Sequence, residues 1–330
     1  MACEVGSVVR MKAVLYRFSG GPASSRVEDV PALPTSAGHV RVRAAGVNFA
    51  NTLMGSGKYR MKPPLPFTPE LKVGGEIMPG VTDLRVGQMV MAFLRDSGSM
   101  RAEEVIPVLN AVAISDAIDF ITTAAVPAVY GTAWFALTHR GKLRAGENLL
   151  VLGAASGVEL AAVKVGKLLG TRVLAAAGGA AKGPMAHDHG AQYIIYYNNK
   201  SIRDRVCELT GGKVADVVFD PVGGDAFDQT IRAINWETRM LVIGFAAGRT
   251  QALTVNLISI KNISAIGVVW GAQQERDLLF ANAWLWTILG YYGSPFFRPL
   301  IGMIYLLEQV GTAIAALLSR QIPGKIVLMA

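Results

Sequence analysis

Three stretches of this chain carry residue types that could do chemistry. The first is Gly153-Ala154-Ala155-Ser156-Gly157-Val158-Glu159, set between an apolar run and a segment rich in Ala, Val and Leu. At a strand-to-helix turn, small residues let the backbone approach a pyrophosphate, and the helix N-terminus offers free N–H groups at the positive end of its dipole. Ser156 and Glu159 stand where a three-glycine fingerprint begun at Gly153 would want glycine. A carboxylate at 159 suits the helix dipole and repels a nearby phosphate. A merely structural turn is the alternative reading. The second stretch, Ala177-Gly178-Gly179-Ala180-Ala181-Lys182, lies where an NAD site places the Asp or Glu that holds the ribose 2′-hydroxyl. It holds small residues and a cation instead, which fits the 2′-phosphate of NADP; an ordinary exposed helix lysine is the alternative. The third, His187-Asp188-His189, could suggest a metal, but no cysteine is near and Gly190 follows directly, so an exposed helix end is expected there. The chain has no Ser elbow of the G-x-S-x-G type, and Gly55-Ser56-Gly57-Lys58 lacks P-loop spacing, so hydrolase and NTPase readings are weak.

The elements that must position these groups fall into two regions. From Lys12 to Phe93 the pattern is short strands and turns: Ala13 to Phe18, the alternation of Val40, Val42 and Ala44, and Val86 to Phe93, with Gly20-Gly21-Pro22 and Pro63-Pro64-Leu65-Pro66 between. After Ala124 strands alternate with helix-length segments. The expected strands are Asn148 to Leu152, Arg172 to Ala177, Tyr193 to Tyr197, Ala215 to Asp220, Met240 to Phe245 and Ile263 to Val269; the helices include Val158 to Leu169, Ser201 to Thr210 and Ala226 to Ile234. Six strands with intervening helices predict an α/β fold with a doubly wound parallel sheet, beside a β-rich lobe.

Composition narrows the class. A length of 330 residues suggests two domains at roughly 150 residues each. With 52% hydrophobic and 17% charged residues, general disorder is excluded. The net charge of +8 comes from scattered Lys and Arg with no run of five, so a solvated basic surface is expected, an anionic ligand next, and no nucleic acid partner. Cys3 and Cys207 form no zinc-type pair and imply no disulfide framework. Residues 1–10 lack a secretory pattern, so a cytoplasmic setting is expected. Leu278 to Phe297 contains no charged residue and is nearly long enough to span a bilayer. Asn282, Gly290, Gly293, Ser294 and Pro295 interrupt it, which suits a buried helix and turn better than a membrane span.

Several ordered stretches together resemble the zinc-free quinone oxidoreductases of the zeta-crystallin type, a branch of the medium-chain dehydrogenase/reductase superfamily, and above all the quinone oxidoreductase-like proteins. They are Gly46-Val47-Asn48-Phe49-Ala50-Asn51, Gly57-Lys58-Tyr59, Leu65-Pro66-Phe67-Thr68-Pro69, Tyr130-Gly131-Thr132-Ala133-Trp134, Asp220-Pro221-Val222-Gly223-Gly224, Gly244-Phe245-Ala246-Ala247-Gly248 and Lys261-Asn262-Ile263-Ser264-Ala265. The resemblance covers about residues 12 to 271 and returns at Gly324-Lys325-Ile326-Val327-Leu328.

The resemblance implies a GroES-like catalytic domain over 1–130, completed by 272–330, around an inserted Rossmann NADPH-binding domain over 131–271. It implies that Asn48 and Tyr59 line the nicotinamide and substrate end, where they are the candidate catalytic residues, with Thr132 beside the nicotinamide. It places the pyrophosphate at Ala155, Ser156, Gly157 and Val158, the 2′-phosphate and adenosine side at Gly178, Lys182 and Tyr197, and loops near the nicotinamide at Gly244, Phe245, Ala246, Trp270 and Gly271. The implied reaction is hydride transfer from NADPH to a quinone or an α,β-unsaturated carbonyl, without metal, in a homodimer. The chain departs from the family in four places. Asn51 replaces an acidic residue, and Pro69-Glu70-Leu71-Lys72 replaces a Pro-Gly-x-Glu pattern, so that Glu70 stands for a glycine whose use is a backbone shape that a side chain resists, and Lys72 reverses a charge. Ser156 and Glu159 alter the nucleotide turn, and Gly183-Pro184 interrupts an expected helix start. These departures keep a catalytically silent NADPH-binding pseudoenzyme or interaction protein of the same fold as the second expectation.

Overall fold

The computed structural model describes residues 9–33, 39–80, 84–94, 98–179, 182–197, 201–292, 294 and 298–330. Cys3, Ala180, Ala181, Gly293 and Pro295 to Phe297 therefore lie outside the described residues, with the parts of the expectations that rest on them. Contacts divide the chain into two compact units, Met1–Pro127 with Ile301–Ala330, and Ala128–Leu300.

The first unit is β-rich. Strands β1 (Arg10–Tyr16) and β2 (Ser25–Pro31) form an antiparallel pair. Then come β3 (His39–Val47), helix α1 (Phe49–Gly55), β4 (Lys72–Ile77), β5 (Met89–Phe93), β6 (Glu103–Val105), β7 (Ala111–Ala113) and helix α2 (Phe120–Trp134), inside which the boundary between the units falls. The alternation read at Val40, Val42 and Ala44 is real: these side chains are buried while Arg41 is exposed. Strand periodicity of two produces that pattern when one face meets a core.

The second unit is the parallel sheet. It runs β8 (Asn148–Leu152), α3 (Gly157–Leu168), β9 (Arg172–Ala177), α4 (Gly183–Asp188), β10 (Tyr193–Tyr196), α5 (Ile202–Thr210), β11 (Ala215–Asp220), α6 (Gly224–Thr230), β12 (Ile234–Val242), α7 (Val255–Lys261), β13 (Ser264–Gly267), α8 (Trp270–Arg276) and α9 (Leu278–Gly290). The strand order β10-β9-β8-β11-β12-β13, all parallel, is the doubly wound Rossmann order. Every residue of β8 is buried, as the uninterrupted apolar run predicts for a strand covered on both faces. Residues 301–330 then return to the first unit as β14 (Ile301–Leu306), α10 (Val310–Ser319) and β15 (Lys325–Met329). Here β15 lies between β14 and β3 in a seven-stranded sheet, the β-rich partner of the Rossmann unit.

The structure corrects the sequence reading in several places. Strand β12 starts at Ile234, not Met240, because the polar stretch 235–239 stays in the strand through a register shift that puts Glu237 at φ +61°. Helix α6 accordingly ends at Thr230. Gly183-Pro184 opens α4 instead of interrupting it, since proline at the first helical turn lacks only an N–H that has no partner there anyway. Residues 272–300 group with the Rossmann unit, not with the β-rich unit. Phe280 and Trp284 of α9 pack with Phe135 and His139, whose stretch follows α2, and Trp270 closes on Phe135. The described part of the apolar segment is α9, at 13 residues short of the roughly 20 a span needs. Among the described residues, one continuous helical stretch, Phe120–Arg140, is long and apolar enough to cross a membrane by length and composition, and most of it is buried in protein.

Candidate functional site

In the Rossmann unit the predicted nucleotide residues collect where parallel strands deliver them, at the C-terminal ends of β8, β9 and β12. Gly153 follows β8 with φ +89°, a left-handed conformation that favours glycine. A Cβ there would lie 2.8 Å from Val222 Cγ2 and 3.1 Å from Glu159 Oε1. The Ala155 N–H bonds back to the Gly153 carbonyl at 2.7 Å, and Ser156 caps α3 in extended conformation. Gly157 and Val158 open the helix. Glu159 does not point away to solvent. It is 6% exposed, folds back over Gly153, and accepts a hydrogen bond from the Ser156 hydroxyl. A carboxylate thus lies over the turn where the resemblance puts a pyrophosphate.

At the end of β9, Gly178 sits under the Tyr197 ring, where a Cβ would meet the hydroxyl at 2.9 Å. Lys182 is the N-terminal cap of α4, and Gly183 packs so closely on the Tyr196 hydroxyl that a side chain has no room. Beyond β12, Gly244, Phe245 and Ala246 form the expected loop: the Ala246 N–H bonds the Pro221 carbonyl at 3.1 Å, and Phe245 is exposed. Trp270 and Gly271 are not in a loop. They start α8, and the buried Trp270 indole lies against Gly131, one residue before the half-buried Thr132 on α2. Sequence reasoning gave Asp220 no role. Its buried carboxylate accepts N–H bonds from Val222 and Gly223 and one from Gln251, bracing the loop whose Val222 packs on Gly153. Burial raises the Asp220 pKa, and the two backbone N–H groups oppose that rise.

In the β-rich unit, Asn48 ends β3 and caps α1. Asn51, in place of an acid, still accepts the Asn48 N–H on its side-chain oxygen at 2.6 Å, so the helix start keeps its cap. The Asn48 side chain is held at both ends. Its Nδ2 donates to Glu70 Oε2 at 2.9 Å and, more weakly, to the Gly46 carbonyl at 3.3 Å; its Oδ1 accepts from Lys325 Nζ at 2.5 Å. Both side-chain N–H groups of Asn48 are therefore committed inside the protein. Glu70 has φ +75°, the left-handed backbone that glycine would adopt freely, and its carboxylate also accepts the Lys72 N–H at 3.0 Å with Lys72 Nζ 3.9 Å away. Lys325, 3% exposed, donates also to the Val47 carbonyl. Burial pushes its pKa down to about 7; Glu70 works against that fall and Lys72 adds to it. Tyr59 is half-buried, with its ring against the core of this unit and Arg60 6.0 Å from the ring centre. Nothing in local sequence signals the meeting of Asn48, Glu70 and Lys325, since the first and last are 277 residues apart. Among the described residues, no three His, Cys, Asp or Glu side chains come together as metal ligands would.

Known proteins resemble this chain as a whole. The profile of the zinc-binding dehydrogenase family matches residues 157–283. Quinone oxidoreductase-like protein 2 of Mus musculus is 34% identical over 309 residues, covering 92% of this chain and 88% of that protein. A solved structure of a probable oxidoreductase from Mycobacterium abscessus superposes with TM-score 0.85 at 30% identity over 98% of this chain and all of that one. The Escherichia coli quinone oxidoreductase, solved in complex with NADPH, shares the fold with TM-score 0.85 at 23% identity over 97% of this chain and all of that one.

Proposed function

This chain belongs to the quinone oxidoreductase group of the medium-chain dehydrogenase/reductase superfamily, and from that premise we propose that it is an NADPH-dependent reductase of quinones or α,β-unsaturated carbonyls. The observation that carries this reading is the row of glycine and small-residue turns along one edge of a Rossmann sheet. Lys182 stands after the second strand, and Gly178-Gly179 follows it with no acid to select a ribose 2′-hydroxyl. Ala155, Ser156, Gly157 and Val158 would hold the pyrophosphate, Lys182 and Tyr197 the 2′-phosphate side, and Thr132, Gly244, Phe245, Ala246, Trp270 and Gly271 the nicotinamide side. NADPH, when bound, supplies a hydride to the acceptor.

The chain's own residues then handle charge and protons. As the acceptor gains the hydride, negative charge develops on its oxygen, and a fixed donor stabilises that charge. Tyr59 is the side-chain donor of this reading, because both Asn48 N–H groups are already spent on Glu70 and Gly46. Its hydroxyl gives a proton to the oxygen and regains one from water. Asn48 positions the start of α1. Replacing Tyr59 by Phe is expected to lower kcat for an enone about a hundredfold at saturating NADPH; an unchanged rate removes Tyr59 from the reaction.

A second reading, an interaction protein that keeps the fold but has a degraded cofactor site and no turnover, is favoured by the Glu159 carboxylate lying over Gly153. Titration of the purified protein with NADPH and NADH, followed by nicotinamide fluorescence, separates the two. Tight binding selective for NADPH supports the reductase; no binding at millimolar cofactor supports the second reading.

A further inference from the structure

Glu70 is costly to place. A non-glycine residue at φ +75° carries strain of order 1–3 kcal/mol, and burying a carboxylate that is 1% exposed costs free energy unless hydrogen bonds or opposite charge meet it. The side chain finds both in one place. One carboxylate oxygen takes an N–H of Asn48, the other takes the backbone N–H of Lys72, and the Lys72 ammonium lies within ion-pair distance. On the far side of the same amide, the buried Lys325 amine donates to Asn48 Oδ1. A neutral amide gripped by an acceptor on its N–H side and a donor on its oxygen side has one orientation only, since flipping it would set oxygen against carboxylate and N–H against amine.

We propose that Glu70 and Lys325 are positioning residues for Asn48, clamping its side-chain amide and through it the junction of β3 and α1. Its functional meaning rests on the reductase reading, in which Asn48 lies at the acceptor end; the clamp itself does not. The arrangement also accounts for the charge reversal at position 72. The Lys72 Nζ is 3.9 Å from Glu70 Oε1, so the tips of the two side chains meet and a carboxylate carried on position 72 reaches the same spot. Glu70 supplies from a left-handed residue the acceptor that the Pro-Gly-x-Glu pattern would supply from residue 72.

The test needs no cofactor, so its failure is distinguishable from failure of the reductase reading. In the full chain labelled with nitrogen-15, the side-chain amide protons of Asn48 are identified by their loss in Asn48→Ala, and their exchange with water is measured. The clamp predicts exchange at least tenfold slower than for an exposed asparagine side chain. It also predicts at least tenfold acceleration in Glu70→Gly, and restoration within about threefold in the double variant Glu70→Gly/Lys72→Glu. A Glu70 that served only to balance charge would leave the Asn48 protons unchanged in Glu70→Gly, which overturns the proposal. Should that variant not fold, the wild-type measurement decides alone: exchange as fast as in an exposed asparagine sinks it. A folded double variant that exchanges as fast as Glu70→Gly overturns the exchange of roles between positions 70 and 72.

Discussion

Two glutamates stand in this chain where glycine is expected, Glu70 by the family resemblance and Glu159 by the three-glycine turn fingerprint, and they behave in opposite ways. Glu70 sits in left-handed backbone, buried, with two lysines and an amide arranged around its carboxylate. Glu159 sits in ordinary helical backbone, and its carboxylate folds over the turn that precedes the helix, against the Ser156 hydroxyl and Gly153. The first substitution is costly for the backbone and is offset by a network of its own. The second costs the backbone nothing and places charge where a phosphate would come. What a lost glycine means thus depends on whether its use was conformation or open space.

Removing each carboxylate sharpens that contrast. Glu70→Ala leaves the positive φ in place and strips Lys325 and Lys72 of a buried counterion, so a loss of about 3 kcal/mol is expected in denaturant unfolding. A loss below about 1 kcal/mol would mean that the network does not offset the strain. Glu159→Gly is expected to act on the ligand more than on the fold: about tenfold tighter NADPH binding by fluorescence titration, for a stability loss of only about 1 kcal/mol from the helical glycine and the lost dipole contact. Equal affinities in the two proteins would show that the carboxylate moves aside without cost.

A further effect is one of pH. The folded pKa of Lys325 is about 7, below the ordinary 10.5, so between these values the unfolded chain binds a proton that the folded chain does not. Stability from this group is full above pH 10.5 and is lost progressively as pH falls from 10.5 to about 7, below which no more is lost. Wild type should therefore gain in Tm relative to Lys325→Met as pH is raised from 7 to 10; a constant difference would mean that the amine keeps its proton throughout.

The parallel sheet was legible because its strands contain short apolar runs such as 149–152, closed by Gly153 or Gly178 and separated by helix-length segments. Strand β12 departs from the reading where the pattern breaks: Asn235, Glu237 and Arg239 look like a loop, and the pairing of Ile234 and Arg239 with β11, and of Arg239 with β13, carries the strand through them. The start of α8 at Trp270 was hidden because its anchor, Gly131, is distant in sequence. At the candidate site, the types and positions of Asn48, Tyr59, Lys182 and Glu159 could be read from the chain. The fate of Glu70 could not. A residue that breaks a local rule announces the strain, but its compensation by Asn48, itself held by Lys325, is a tertiary contact with no local pattern to betray it.

That contact also bears on the order of assembly. The Rossmann unit is one continuous stretch, 128–300, and is complete before β15 leaves the ribosome. The β-rich sheet cannot close until then, since β15 is the strand that joins β14 to β3. During synthesis β3 therefore waits with an unpaired edge and Asn48 without its lysine, the state in which a chaperone is of most use and in which a stalled chain is most exposed to aggregation.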